Sequence, residues 1–381
     1  MDAPRIALAN LPTPLEPAPR LTAAWGGPTI WVKRDDLTGF GLSGNKVRKL
    51  EYHLAAALDA GADTVITCGA VQSNHSRATA LAAARVGLNT ILYLASPDGA
   101  PPLEPTGNHL LQRLAGAECR FITQEQYADR DAILADAATS HGNAWAIPEG
   151  ASDALGALGY VAAMHEIAPQ MRSLGIESAT ILHAASSAGT TAGMVRGAAE
   201  LGLDIAIVGS SVGEPAALVS ERIETLLVDA DRRFGEVKST VPWRIIDNYI
   251  GLGYGLATPD ELATQAEATR LTGMLFDPAY TGKVVYALKQ EISAGRFSPS
   301  ADVIFWHTGG GFAAFAHPEL LRTGVAELTP ARASVSPCPP PPGGVSRTDL
   351  RLGLRGAAWE KGSRRCGRVR VGGSAGPIFG C

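Results

Sequence analysis

Seven short apolar runs mark the chain, at Ile30–Lys33, Thr64–Cys68, Thr90–Leu94, Ala144–Ile147, Ala179–His183, Ile205–Gly209 and Val303–His307. Several are apolar without alternation and end at Gly, Ser or Asn, as strands covered on both faces do. Between them lie Ala-rich stretches with helical spacing: Lys46–Ala60, Ser76–Val86, Gln124–Ser140, Ala157–Arg172, Thr191–Leu201 and Pro259–Thr272. Gly61, Gly87 and Gly202 sit where such helices stop. Alternating strands and helices predict parallel sheets in an open α/β architecture. Ligands of such sheets bind in the loops that follow the strands. No repeat at a solenoid period is present.

Composition narrows the class. A chain of 381 residues has room for two domains or one large α/β domain. With 46% hydrophobic and 18% charged residues it reads as a globular enzyme. A net charge of −4 gives no general attraction to nucleic acid or to an anionic membrane, and no apolar run is long enough to span one. Residues 1–20 are Pro-rich and lack an apolar core, so no signal peptide is expected. The five cysteines show no metal spacing and no disulfide framework, which predicts a cytoplasmic protein without a metal site. From Ala331 the chain turns to Pro, Gly and Arg, with only Asp349 and Glu360 as acids. Residues 331–381 therefore read as a disordered, low-complexity tail rather than a nucleic-acid arm.

The loops carry the chemistry. Lys46 follows a glycine turn and opens a helix in Ser43-Gly44-Asn45-Lys46-Val47-Arg48-Lys49-Leu50-Glu51. An amine so placed can form a Schiff base with an aldehyde cofactor. Two competing readings stand beside it: a solvated basic face shared with Arg48 and Lys49, and Lys33 as the reactive amine. Asp35 and Asp36 would keep Lys33 protonated. The small-residue loop Ser186–Thr191 runs into a helix N-terminus, where free amides and the helix dipole can hold a phosphate, although a capping turn explains it equally well. It lacks the spacing of a P-loop or a dinucleotide fingerprint, which disfavours a nucleotide-dependent oxidoreductase. Gln72-Ser73-Asn74-His75 offers hydroxyl, amide and imidazole on one turn, without the partners of a serine hydrolase. Tyr280 starts a further helix; as a base it needs a cationic neighbour, and alone it reads as a packing residue.

Taken in order, five segments resemble the D-cysteine desulfhydrase / 1-aminocyclopropane-1-carboxylate deaminase family of pyridoxal-phosphate enzymes. They are Ser43–Glu51, Gln72–Arg77, Ser187–Gly193, Asp277–Lys283 and His307–Gly310, collinear from about Arg5 to Leu321. The resemblance implies the tryptophan-synthase-β-like fold, in which two open parallel-sheet domains hold the cofactor between them. Residues 1–48 with 160–330 would form the larger domain and 49–159 the smaller.

It implies roles as well. Lys46 would carry pyridoxal phosphate as a Schiff base and shuttle the α-proton. Ser187, Ala188, Gly189, Thr190 and Thr191 would hold the phosphate, and Asn74 the phenolic oxygen. Thr308 and Gly309 would border the ring, with Thr281 also at the cofactor. Ser73, Asn74, His75, Tyr254 and Tyr280 would contact the substrate, Ser73 and Tyr280 also moving protons.

Ring-opening deaminases carry a glutamate after the tyrosine; here the residue is Thr281. The implied activity is therefore β-elimination from a small sulfur amino acid, D-cysteine giving pyruvate, sulfide and ammonia. The alternatives are L-cysteate sulfo-lyase, the ring-opening deaminase, or a non-catalytic protein that holds the cofactor or an amino acid. His75 and Arg77 offer themselves to a sulfonate, although Arg77 reads first as structural. A homodimer and a small amino-acid substrate are the partners implied.

Overall fold

The computed structural model describes residues 3–317; the expected tail at 331–381 lies outside them. Ten strands form among these residues. They are β1 (Leu15–Pro17), β2 (Thr29–Lys33), β3 (Thr64–Ala70), β4 (Asn89–Ala95), β5 (Glu118–Ile122), β6 (Ala144–Ala146), β7 (Ala179–Ala185), β8 (Ile205–Ser211), β9 (Trp243–Ile246) and β10 (Asp302–Trp306). They build a six-stranded sheet, β1-β2-β10-β7-β8-β9, and a four-stranded sheet, β5-β4-β3-β6. Every pairing is parallel except β1 with β2. Helices fill the crossovers, as parallel strands require.

All seven predicted strands are present. The three that the apolar pattern missed, β1, β5 and β9, are edge strands. Edges carry polar residues and proline to blunt further pairing: β5 reads Glu-Cys-Arg-Phe-Ile and β1 ends on Pro17. The predicted helix Gln124–Ser140 is two helices, Gln124–Ala128 and Arg130–His141, broken at Asp129. Helix Thr281–Ser293 is the one expected to start at Tyr280, whereas those at Gly107–Leu114 and Ala216–Phe234 do not stand out in the pattern. The second of these buries only Val219, Ile223 and Ala230, too narrow a stripe to stand out.

Helix Lys46–Asp59 joins the two sheets. Val47, Leu50 and Leu54 pack into the core beside the smaller sheet, with Val65, Ala78 and Ile147. Its other side meets helix Ala154–Leu174 so closely that a Cβ on Gly159 would stand 2.5 Å from the Arg48 carbonyl oxygen. That second helix touches Gly189–Leu201 just as tightly: a Cβ on Gly193 would lie 2.3 Å from the Ala157 carbonyl. Small residues at these crossings stack three helices in van der Waals contact.

Arg48 is buried, not solvated, and so is Lys49. Arg48 grips the fully buried Asp35 through Nε at 2.9 Å and Nη2 at 2.7 Å. It also donates to Glu166, at 2.9 and 3.0 Å. Lys33 pairs with the same glutamate and donates to the Thr13 carbonyl at 2.6 Å. Tyr160 and Trp306 complete the Asp35 shell at 2.6 and 2.8 Å. Burial pushes the Asp35 carboxyl up, but the guanidinium beside it prevails and holds it below the usual carboxylate range. Sequence cannot separate such a cation from a surface one, because Glu166 lies 118 residues away.

Removing Arg48 would strand these charges without a partner. Arg48→Ala is expected to cost about 3–5 kcal/mol of stability, read as a fall in the thermal midpoint of the purified protein.

Candidate active site

A cleft of about 360 Å³ opens at the C-terminal ends of the parallel strands, where an open α/β fold places its ligands. The lysine turn lines it with the loops after β3, β6, β7, β8 and β10, joined by Tyr254 and Tyr280.

The lysine turn is held from below. Arg77, fully buried, donates to the carbonyls of Gly41 at 2.5 Å and Ser43 at 2.8 Å. Asn45 donates its backbone N–H to the Thr308 carbonyl at 3.1 Å. Gly44, at φ 111°, is needed there: a Cβ would sit 2.7 Å from that carbonyl oxygen. Arg77 is thus a structural strut and does not line the cleft.

Residues three apart share a helix face, whereas those two apart point away from each other. With Arg48 fixed in its network, Lys46 and Lys49 turn to the other side. Lys46 lines the cleft, and burial lowers its amine to about 8 against a weaker upward pull from Glu149. Lys49 donates to the Gly150 carbonyl at 3.2 Å and to Ser152 Oγ at 3.0 Å. Burial, then the neighbouring Lys46 charge, hold it well below an ordinary lysine. Lys33 is committed to Glu166 and does not line the cleft.

The loop after β7 delivers backbone donors. Helix Gly189–Leu201 starts at its end, so the Thr190 and Thr191 amides lie in a first turn that has no helix carbonyl to meet them. The Gly189 N–H folds back to the Ser187 carbonyl at 2.9 Å. Thr190 Oγ1 accepts from Asn45 Nδ2 at 3.1 Å, and Thr191 Oγ1 faces His183 at 3.3 Å. Thr190 and Thr191 thus offer an anion main chain and helix dipole, and Thr190, whose Oγ1 only accepts, also keeps its hydroxyl proton to give. Across from them, Gly150 admits no side chain: a Cβ would lie 2.5 Å from Ser187 Oγ and 3.1 Å from Lys46 Nζ.

Asn74 is oriented by a neighbour that sequence reading missed. Asn108 receives Arg77 Nε on its Oδ1 at 3.1 Å, which leaves its Nδ2 to donate to Asn74 Oδ1 at 2.9 Å. Asn74 thus turns its own NH2 toward the cleft that it lines, as a donor. Ser73 caps the same helix, its Oγ accepting from Ser76 at 3.1 Å, and keeps its hydroxyl proton to give. His75 lies in the wall with Nε2 tied to Thr67 at 2.8 Å; burial, then the Lys46 charge, keep it neutral.

Tyr254 and Tyr280 meet hydroxyl to hydroxyl at 2.8 Å. Burial and its partner push Tyr280 well above an ordinary phenol, so it holds its proton. Burial pushes Tyr254 up to about 12. Thr308 and Gly309 form part of the wall. Thr281 does not: its hydroxyl donates to Asp277 at 2.7 Å behind the cleft.

The cleft thus joins a lysine amine that sheds its proton readily, an anion cradle of amides, and an amide donor. This set fits an aldehyde that carries a phosphate. Besides Asn108, the sequence reading passed over Lys49, Glu149 and Gly150. Lys49 stood in plain view in the lysine motif; the others carried no local signal. No group of three metal-ligating side chains is present among the described residues.

Comparison with known proteins agrees with this chemistry. Residues 6–309 match the model of the "Pyridoxal-phosphate dependent enzyme" family. The chain is 38% identical over 325 residues to the D-cysteine desulfhydrase of Salmonella choleraesuis, covering 83% of this chain and 97% of that one. The D-cysteine desulfhydrase of Salmonella newport is equally similar. A crystal structure of an ACC deaminase homologue superposes with a TM-score of 0.75 at 34% identity, covering 84% of this chain and 97% of its own. A fungal L-serine ammonia-lyase from Rhizomucor miehei, 18% identical with a TM-score of 0.58, shares the fold.

A neutral amine attacks a carbonyl; a protonated one does not. Capture of a small aldehyde at Lys46, trapped by hydride reduction and located by peptide mapping, should rise through about pH 8 and then level off. An ordinary lysine would still be gaining reactivity near pH ~10.

Proposed function

This chain belongs to the pyridoxal-phosphate-dependent enzyme family, a deaminating lyase of that fold, and on that footing we propose that it is a D-cysteine desulfhydrase. The observation that carries the choice is Thr281, a neutral hydroxyl tied to Asp277 where a ring-opening deaminase would hold a glutamate.

The cofactor, when bound, supplies an electron sink for the bond next to the amino group. Lys46 would hold its aldehyde, the loop 187–191 its phosphate and Asn74 its phenolic oxygen. Thr308 and Gly309 would stand at its ring, with Thr281 behind the cleft wall. The Lys46 amine, lowered to about 8 by burial, would be neutral enough to take the α-proton. The carbon–sulfur bond then breaks, its electron pair leaving with sulfur. Tyr280, which keeps its proton, donates to the departing sulfide. Ser73 directs its hydroxyl to the substrate carboxylate, and Tyr254 and His75 shape the wall. The released enamine takes up water to give pyruvate and ammonia. We place the enzyme in the cytoplasm, in line with Cys68 and Cys119, both free thiols. We take it as a homodimer, each chain folded as two lobes that divide near residues 48 and 160.

Lys46→Ala should abolish both the visible absorption of the reconstituted protein and pyruvate release from D-cysteine; a surviving band would overturn the assignment of Lys46. Thr281→Glu should raise turnover of 1-aminocyclopropane-1-carboxylate relative to D-cysteine by at least about tenfold, assayed as 2-oxobutyrate against pyruvate. A wild-type enzyme that prefers the cyclopropane substrate or L-cysteate would overturn the choice within the family. A coloured protein that releases no pyruvate from any β-substituted amino acid would mark a binding protein.

A further inference from the structure

Buried cations in this protein commonly meet a carboxylate, as Arg48 meets Asp35, Arg196 meets Asp231 and Lys283 meets Glu261. Arg77 does not. Fully buried, it meets three neutral oxygens instead: the carbonyls of Gly41 and Ser43 and, through Nε at 3.1 Å, Asn108 Oδ1. The Phe312 ring lies 5.2 Å from the guanidinium and offers it a face. Burial lowers Arg77 only to about 10, so it remains a cation at neutral pH. A charge taken out of water without a counter-charge keeps a net pull on whatever anion it can reach.

Its reach toward the cleft runs through one side chain. Asn108 is fully buried and its amide has a single possible orientation. Arg77 cannot accept a hydrogen bond, so Asn108 Oδ1 must face it. The Gln72 carbonyl, at 2.8 Å, cannot donate, so Nδ2 must face that. The second Nδ2 proton then goes to Asn74 Oδ1 at 2.9 Å. The backbone holds Asn108 in place as well. Its N–H donates to Gln72 Oε1 at 2.9 Å, and a Cβ on the preceding Gly107 would stand 2.7 Å from that oxygen and 2.9 Å from the Phe312 carbonyl. Arg77, Asn108 and Asn74 thus form an ordered line of donors that starts at a guanidinium and ends on the Asn74 amide in the cleft wall. Each bond polarises the next in the same sense.

We propose that Arg77 is a positioning residue that acts through Asn108 to strengthen the Asn74 amide as a donor, so that the cleft prefers an anionic ligand oxygen to the same oxygen capped. The proposal rests on the placing of the cofactor's phenolic oxygen at Asn74 and deepens it: that oxygen is bound as a phenolate, where a charge-assisted bond is strongest. The same guanidinium holds the carbonyls of the lysine turn. One buried cation therefore serves both the backbone beneath the amine and the charge of the oxygen beside it.

The test compares two ligands within each protein, so that a shift of the turn or a general loss of binding cancels. Wild type, Asn108→Asp, Arg77→Met and Asn74→Ala, each stripped of cofactor, are titrated with pyridoxal phosphate and with its 3-O-methyl ether. The ether keeps the aldehyde and the phosphate but cannot become a phenolate. Dissociation constants are read from absorption, and their ratio is the preference for a free phenolic oxygen. A strut alone would weaken both ligands equally. Asn108→Asp gives Arg77 a carboxylate and so keeps the strut, but it neutralises the charge and removes the bond to Asn74 Oδ1. The preference should then fall by at least about tenfold. Arg77→Met should lower it as far, with a further loss that is alike for both ligands. A preference within about twofold of wild type in Asn108→Asp would overturn the proposal. Asn74→Ala separates the two claims. A preference lost there but kept in Asn108→Asp ends the relay and leaves the phenolic-oxygen assignment standing; a preference kept in Asn74→Ala overturns both.

Discussion

The arrangement of the cleft depends on one buried interaction, the grip of Arg48 on Asp35 and Glu166. A guanidinium taken out of water incurs a desolvation cost that only well-aimed partners offset. Here both carboxylates meet it with short bonds, and Tyr160, Trp306, Thr13 and Lys33 occupy the remaining positions. Such a network is weak evidence for raw stability. What it does determine is rotation. An α-helix with Arg48 locked toward the larger sheet has no freedom left at Lys46, which must face the cleft, and Lys49 follows on the same side. The apolar face of the same helix, Val47, Leu50 and Leu54, belongs to the core of the smaller sheet. Charge fixes the helix from one side and hydrophobic packing from the other, so the amine is held against both.

The same burial that is costly for stability creates the reactivity. Lys46, Lys49 and His75 are all pushed toward their neutral forms by loss of water, and the Lys46 charge adds to the push at Lys49 and His75. Neutral groups are what a site needs if one of them is to attack a carbonyl or take a proton. Backbone strain is concentrated in the same place. Among the described residues, the non-glycine positions with positive φ are Ala151 and Ala188, one in the turn that follows Glu149 and Gly150, the other in the anion loop.

Much of this was legible in the sequence, for identifiable reasons. Interior strands such as β3, β7 and β10 are continuous apolar runs and reveal themselves; β1, β5 and β9 lie at edges and do not. Lys46, Ser73 and Asn74 stand beside glycine or at helix starts, where local chemistry is unusual. Arg48 and Lys49 looked like a solvated face because their partners, Glu166 and Ser152, are separated from them by 118 and 103 residues. Asn108 was invisible for the same reason: its meaning lies wholly in the contacts it makes with Arg77 and Asn74. Thr281 was legible as a departure from a family pattern, but not as a residue one layer behind the wall.

On the proposed reading, the division between the sheets would let such a fold change substrate and keep its cofactor. The anion loop, Thr308 and Gly309 follow strands of the larger sheet, and Asp277 and Thr281 sit behind them. Ser73, Asn74, His75 and Glu149 follow strands of the smaller sheet. The amine lies between, on the helix that both cores claim. On the proposed assignment, substitutions in the loops after β3 and β6 would alter the substrate's surroundings, and at Asn74 the cofactor's as well, while the Arg48 network and the amide cradle stay in place. The position of Glu149 shows how direct that control is, since the turn that sets its carboxylate also packs Gly150 against Lys46 Nζ. A change of charge at this turn therefore acts on the Lys46 amine directly, with no movement of the sheets required.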